Sequence, residues 1–145
     1  MVNIFLMANL YVYPNAAELE TPLSGILGGD IDGVASNDNL GSAVAMSSDG
    51  SRVVVGAPYH DSAEQVTDNN GNTYFQNDAG SVRVFEYGTS ADPTGWSQLG
   101  GDIDGIQNNC DSYCSDGERF GAAVAMSADG NRIVVGAPSR YPAAA

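Results

Sequence analysis

Two Asp-x-Asp-Gly sequences hold the side chains that are best suited to bind a cation. Asp30 and Asp32 belong to the first sequence, and Asp102 and Asp104 belong to the second. Side chains two residues apart on a β-strand point to the same face, so each pair offers two carboxylates to one ion. A strand end followed by a glycine turn explains the same residues without a metal, and both interpretations stay open.

A third candidate cation site lies in an asparagine-rich stretch. Asp68, Asn70 and Asn72 place side-chain oxygens at alternate positions, as calcium-binding loops do. The glycine of this stretch, Gly71, stands at the fourth place instead of the sixth place of an EF-hand loop. Calcium is the candidate ion for all these positions, and the sequence indicates no other cofactor.

The two cysteines form a Cys-x3-Cys sequence. Cys110 and Cys114 have no second cysteine pair and no nearby histidine, so a structural zinc site lacks ligands. A disulfide that closes a short loop is the preferred interpretation, and it implies an oxidising compartment. Two free thiols remain the alternative.

The sequence offers little support for catalysis. His60 is the single histidine, and it follows an apolar strand, where we expect it to face solvent. Its counterpart in the duplicated sequence described below is Arg140, so the repeat does not require histidine there. Neither a Gly-x-Ser-x-Gly nor a His-Glu-x-x-His motif occurs. We therefore predict that the protein is not an enzyme, although loop carboxylates leave a glycoside-cleaving pair open.

Composition narrows the range of partners. The 145 residues carry 18 acidic and 5 basic residues, for a net charge of −13. Such a surface repels phosphate backbones, which argues against nucleic-acid binding. The apolar start, residues 1–13, is shorter than the roughly 20 residues that span a bilayer, so no transmembrane segment is expected. The 18 glycines favour frequent turns and an all-β fold.

A duplication determines the fold prediction. Residues 41–58 recur almost unchanged at 121–138, and residues 27–33 recur identically at 99–105. The first offset is 80 residues and the second is 72, so the second copy contains eight extra residues in the segment with the cysteines. Each recurring hairpin has two short apolar runs around an Asp-Gly turn.

The repeat predicts blades of four antiparallel strands, which we call a to d. They are expected at 42–46, 52–57, 82–87 and 96–99, with a long polar loop, 59–79, between b and c. Residues 53–57 are continuously apolar, which is typical of a strand covered on both faces. The predicted architecture is all-β, a β-propeller with an incomplete ring in this chain.

The predicted organisation is a single propeller segment over 1–145. Residues 9–40 supply strands c and d of a first unit, near 10–13 and 23–27. Residues 41–105 form a full repeat. Residues 106–145 hold the insertion loop and strands a and b of a next repeat.

The residues that recur resemble a known family. Residues 120–126 followed by 134–138 look like the FG-GAP repeat of integrin α-subunit propellers, and the first copy matches with Leu40 in place of phenylalanine. The strand at 80–87 and the following 96–100 resemble a subgroup of large secreted or surface proteins. Such propellers usually have seven blades, and this chain supplies strands for about two.

The resemblance also implies calcium in the a–b hairpins of the family. Here those hairpins are short, so Asp49 and Asp129 are interpreted as turn residues. Arg52 and Arg132, just after the turns, are expected either to pair with these carboxylates or to be solvated.

The expected function is a non-enzymatic extracellular or cell-surface interaction module. Its propeller loops would mediate adhesion, assembly, or binding of a protein or glycan partner. Two alternatives are the substrate-binding part of a secreted hydrolase or lyase, and a structural subunit that closes a ring or filament with further copies or other blades.

Overall fold

The computed structural model describes residues 9–10, 12, 27–67, 71–105 and 117–139. Within these ranges the chain forms strands and no helix, and accordingly no apolar helix of membrane-spanning length is found there. The strands are β1 (Asn9–Leu10), β2 (Ile31–Asp32), β3 (Ala43–Met46), β4 (Arg52–Ala57), β5 (Ser62–Thr67), β6 (Thr73–Gln76), β7 (Ser81–Tyr87), β8 (Trp96–Gln98), β9 (Ile103–Asp104), β10 (Ala123–Met126) and β11 (Ile133–Gly136).

The central sheet is one complete propeller-type blade. Its strands run β3-β4-β7-β8, each antiparallel to the next, and β9 pairs with β7 beside β8. Val54 lies opposite Ala45 on one side and opposite Val84 on the other. These four strands are the predicted strands a to d, so the all-β, blade-type fold is confirmed. The described strands do not close a ring.

Strand β4 is buried because both faces of the blade are covered. Val53, Val54 and Val55 are 3%, 0% and 0% exposed. On one face, β4 and β7 contribute to an apolar cluster against which Leu10 and Trp96 pack. Its buried members are Ile31, Leu40, Val53, Val55, Ala57 and Phe85.

The opposite face of β4 lies against the next hairpin, β10–β11. There Gly56 has its Cα 3.2 Å from the position that a Cβ on Gly121 would occupy. Full burial of a valine stabilises the fold by about 1.5–3 kcal/mol. The continuous valine run therefore requires neighbours on both sides of the sheet, as predicted.

The 80-residue duplication is visible in the backbone. Asn39 and its equivalent Arg119 both have φ 53°, and Gly41 and Gly121 have φ 89° and 90°. The amide of Gly41 donates to the carbonyl of Gly56 at 3.0 Å, and Gly121 makes the same bond to its own strand at 3.1 Å. Positive φ favours glycine and is uncommon for other residues, so the shared angles indicate one local fold used twice.

The segment between β4 and β7 differs from its prediction. Instead of a long polar loop it contains the antiparallel hairpin β5–β6, with a bulge between Ser62 and Gln65. The sequence explains this, because threonine and apolar residues with β-propensity flank an Asn-Gly pair, which is a hairpin signal. Gly71 has φ 84°, in the region that such turns need.

The first unit is described only in part. Leu10 lies in β1, which pairs antiparallel with β2, whereas residues 23–26 of the expected strand d lie outside the described residues. Trp96 connects this unit to the blade, because its Nε1 donates to the carbonyl oxygen of Leu27 at 2.8 Å. Its ring also lies 5.4 Å from that of Tyr87, in a tilted arrangement.

Candidate functional site at the loop end of the blade

Four loop segments meet at one end of the blade, which we call the loop end. They follow β4 and β9 and precede β7 and β10. The amide of Gly80 donates to the carbonyl of His60 at 3.0 Å, and the amide of Gly105 donates to that of Gly80 at 2.8 Å. The amide of Phe120 donates to the carbonyl of Ala79 at 3.1 Å. These bonds hold the segments in one fixed arrangement.

Glycine is needed where these segments touch. A Cβ on Gly80 would collide with the backbone of Phe120, and one on Gly105 would collide with the carbonyl of Ala79. Gly80 also has φ 81°, a conformation that side chains disfavour. The glycines thus allow the backbones to approach closely enough to bond.

His60 is positioned by a buried carboxylate. Its Nδ1 lies 2.7 Å from Oδ2 of Asp38, and the two side chains are 17% and 7% exposed. The Asp38 carboxylate also accepts a bond from the amide of Ala35 at 3.2 Å. The expectation that His60 faces solvent is therefore wrong, because the segment before β3 folds over it and supplies its partner.

Asp102 and Asp104 converge on this histidine. One ligand atom from each of His60, Asp102 and Asp104 lies within 4.8 Å of the other two. Oδ1 of Asp102 accepts a bond from Nε2 of Gln98 at 2.7 Å, which orients it. Both aspartates are exposed. The spacing predicted these two carboxylates on one face but did not indicate the nearby histidine, and cation binding by the pair stays a prediction.

Asp30 and Asp32, the other predicted pair of carboxylate ligands, do not join this cluster. Asp30 and Asp32 are exposed and belong to no three-ligand cluster among the described residues. Asn72 is exposed as well. Outside the described residues lie Asp68, Asn70, Cys110 and Cys114, so the metal and disulfide predictions there stay predictions.

Asp49 lies at the opposite end of the blade and bonds within its own turn. Its Oδ1 accepts bonds from Oγ of Ser47 at 2.6 Å and from the amide and hydroxyl of Ser51 at 3.0 and 2.8 Å. The bond from Ser47, followed by those from Ser51, lowers the pKa of Asp49 from 3.8 to about 2. Its equivalent Asp129 makes the same type of turn, and its bond from Ser127 lowers its pKa.

Arg52 does not pair with Asp49 or Asp129. Its guanidinium instead bonds to Glu86 on the adjacent strand, with both Nε and Nη2 2.9 Å from Oε1. Across the blade boundary, its Nη1 donates to Oδ1 of Asn131 at 2.7 Å. The strand register explains why Glu86 is the partner of Arg52, because the two residues lie directly opposite each other in β4 and β7. Arg132 is exposed and forms no ion pair with a described residue.

Comparison with known protein families identifies the repeat. Residues 32–75 match the FG-GAP repeat family. These residues, less than a third of the chain, are therefore similar to one FG-GAP repeat. No curated protein and no solved structure matches the chain. The matched range includes β3, β4, β5 and most of β6, and it supplies Asp38 and His60 to the loop end, whereas Asp102 and Asp104 lie outside it.

The sequence did contain a signal for the Asp38–His60 pair. Glu118 occupies the position equivalent to Asp38 in the next repeat, and Arg140 occupies that of His60. Both repeats therefore combine an acid before strand a with a base after strand b. In the structure the equivalent acids are both buried, Asp38 at 5% and Glu118 at 7% exposure. Comparing the two copies for matched charges would have identified Asp38.

Proposed function

We propose that this protein is a non-enzymatic interaction module whose FG-GAP blade presents its loop end to a protein or glycan partner. One observation carries the proposal. The blade buries its strands against neighbours on both faces, while the loops at one end are held together by backbone bonds. A rigid sheet that presents ordered loops suits recognition, because the partner need not order them on binding.

The chemistry of the loop end fits a polar partner. Asp102 and Asp104 are exposed there, and the guanidinium of Arg119 lies 5.2 Å from the ring centre of Tyr59. Carboxylates and an aromatic ring offer hydrogen bonds and a stacking surface. The net charge of −13 favours a neutral or basic partner and disfavours nucleic acid.

We place the module outside the cell or on its surface. This part of the proposal is supported by the resemblance to the propellers of surface proteins and by the Cys-x3-Cys sequence, which suits an oxidising compartment. A disulfide between Cys110 and Cys114, measured by mass spectrometry with and without reductant on secreted protein, is the expected result. Reduced thiols in the secreted protein would contradict this placement.

Binding can be tested with two variants that each introduce an arginine, one at each end of the blade. Val34 is 58% exposed in the segment that contains Asp38, and Ser90 is exposed in the turn between β7 and β8. The full chain would be screened against a glycan array and a library of extracellular proteins. For any ligand found, Val34→Arg should weaken binding at least tenfold and Ser90→Arg should not.

Three outcomes would count against the proposal. They are the absence of any selective ligand, equal effects of the two variants, and turnover of a bound glycan. Turnover would favour the alternative of a hydrolase or lyase part.

A second candidate function is a structural subunit that assembles with further blades, and one comparison favours it. Val54 and Val134 are repeat equivalents, yet they are 0% and 69% exposed. Val54 is covered by the next hairpin, so the same position on β11 offers an apolar surface of the kind that a blade covers. A second copy of the chain is the proposed occupant. Light scattering across a concentration series should detect species above the 15.0 kDa monomer, and a constant monomer mass would reject assembly.

A further inference from the structure

We propose that the loop end binds one divalent transition-metal ion, with zinc as the representative, through His60, Asp102 and Asp104. Asp38 acts behind the histidine as its positioning residue. This site is independent of which macromolecule, if any, the module recognises. It shares Asp102 and Asp104 with the calcium site predicted on that aspartate pair, but its ligand set differs because one donor is the imidazole nitrogen of His60.

The donor set selects the class of metal. Calcium and magnesium prefer oxygen ligands, whereas zinc and neighbouring metals accept imidazole nitrogen together with carboxylate oxygen. One nitrogen and two carboxylate oxygens leave a tetrahedral ion with a position for water or for a partner's donor. His60 therefore favours a zinc-type ion over calcium.

The histidine is already oriented for ligation. Its Nδ1 bonds to the buried carboxylate of Asp38 at 2.7 Å, so a neutral ring carries its proton on Nδ1 and has its lone pair on Nε2. Nε2 is then the nitrogen available to a metal. A carboxylate behind a ligating histidine is the usual arrangement around zinc, since it fixes the tautomer and raises the basicity of the ligand.

The distances allow closure around an ion without movement of the backbone. Zinc bonds to nitrogen and oxygen are about 2.0–2.2 Å, so ligand atoms of a tetrahedral site lie roughly 3.3 Å apart. One ring nitrogen of His60 and one carboxylate oxygen from each aspartate lie within 4.8 Å of one another. Asp102 and Asp104 are exposed, so rotation of their side chains can shorten these distances, while the bond to Asp38 holds the ring of His60.

The chain contains its own matched control. Residues 27–33 and 99–105 are identical in sequence, but Asp30 and Asp32 belong to no cluster with a histidine among the described residues. An acidic surface that attracts cations without a built site would use both aspartate pairs. The proposed site requires only the second pair.

The test is calorimetric titration of the full chain with zinc chloride after treatment with a chelator. One ion per chain is expected, and it should be retained in excess calcium. The double variant Asp102→Asn/Asp104→Asn should lose at least tenfold in zinc affinity, whereas Asp30→Asn/Asp32→Asn should bind as the wild type does. Asp38→Asn should weaken binding about 10–100-fold, the range typical of a partner behind a ligand.

Two further measurements distinguish zinc bound at the loop end from zinc bound elsewhere on the chain. Cys110→Ser/Cys114→Ser should keep its zinc affinity, which excludes binding by the thiols. Cobalt substitution should give absorption that His60→Gln abolishes, with an unchanged circular dichroism spectrum showing that the variant is folded. No zinc binding, equal losses in the two double aspartate variants, or complete displacement by calcium would each overturn the proposal.

Discussion

The carboxylate of Asp49 shows how one side chain determines a turn. Three bonds from Ser47 and Ser51 converge on a single oxygen, and Ser47 also accepts a bond from the amide of Arg52 at 3.0 Å. Because the bonds favour the charged form, the pKa of Asp49 falls to about 2. The stability of the turn between β3 and β4 therefore depends on whether the carboxyl of Asp49 is ionised.

Asp49→Asn should therefore have a pH-dependent effect on stability. The folded pKa, about 2, is below the unfolded value of 3.8, so the ionised group stabilises the fold above pH 3.8 and loses this effect as the pH falls through 2. The variant should be less stable than the wild type at pH 7, and the difference should shrink between pH 4 and pH 2. Urea unfolding at several pH values measures it.

A control identifies the cause of this pH dependence. In Ser47→Ala the largest lowering effect is removed, so the carboxyl pKa of Asp49, measured by NMR, should rise towards 3.8. A pH-independent difference between wild type and Asp49→Asn would contradict the assignment.

Arg52 and Arg132 occupy the same repeat position but differ in partners. Arg52 bonds to Glu86 and, across the blade boundary, to Asn131, whereas Arg132 forms no ion pair with a described residue. Arg52→Ala should lower the free energy of unfolding by about 1–2 kcal/mol, and Arg132→Ala should change it by less than about 0.5 kcal/mol. Equal effects in thermal unfolding would show that the bonds of Arg52 to Glu86 and Asn131 contribute nothing to stability.

Single residues also show how far the sequence could predict the site. The proximity of Asp102 and Asp104 follows from their local spacing, although their role as cation ligands stays a prediction. His60 and Asp38 are 22 positions apart and meet only because the loops after strand b and before strand a lie at the same end of the blade. The sequence did not indicate Glu86 as the partner of Arg52, because Glu86 lies on the adjacent strand β7 and is distant from Arg52 along the chain.

At the scale of elements, adjacent blades pack backbone against backbone at glycines. Gly56 in β4 faces Gly121, and a Cβ on Gly56 would collide with the carbonyl oxygen of Gly121. The small residues of the recurring hairpin thus determine the spacing between units. Strands a to d were predictable because their apolar runs repeat. The β5–β6 hairpin carries an Asn-Gly signal but has no second copy in the duplicated sequence, and its polar residues favoured the interpretation as a loop.

Gly56→Ala and Gly101→Ala test this spacing. The first should cost about 2–3 kcal/mol, because backbone atoms must move to admit the methyl group. Gly101 has nothing within 4 Å of its would-be Cβ, so Gly101→Ala should stay within about 0.5 kcal/mol of the wild type. Chemical denaturation provides both values, and a neutral Gly56→Ala would show that the blades are not in close contact.

At the scale of the whole molecule, the covered and open faces follow from the number of units present. The central blade has a neighbour on each side, and its core includes Ile31 from the first unit. The sequence predicted a sandwiched blade because valine runs require two neighbours. The described strands do not close a ring, and the domain boundaries at 40, 105 and 106 stay predictions.

The equivalent valines provide a test at this scale. Val54 is fully buried, so Val54→Asp places an unpaired charge between two blades and should cost more than about 4 kcal/mol. Val134 is 69% exposed, so Val134→Asp should leave monomer stability within about 0.5 kcal/mol of the wild type. An aspartate at position 54 therefore tests the folding of the chain, whereas an aspartate at position 134 tests its assembly with other copies.

If a second copy covers Val134, the aspartate variant should fold normally but lose the concentration-dependent increase in mass of the wild type. Sedimentation equilibrium measures this directly, with Ser90→Asp as a control for an added negative charge at an exposed position away from β11. Association that survives Val134→Asp would show that copies meet through another surface. A strongly destabilised Val134→Asp monomer would instead mean that the valine is already buried in the chain.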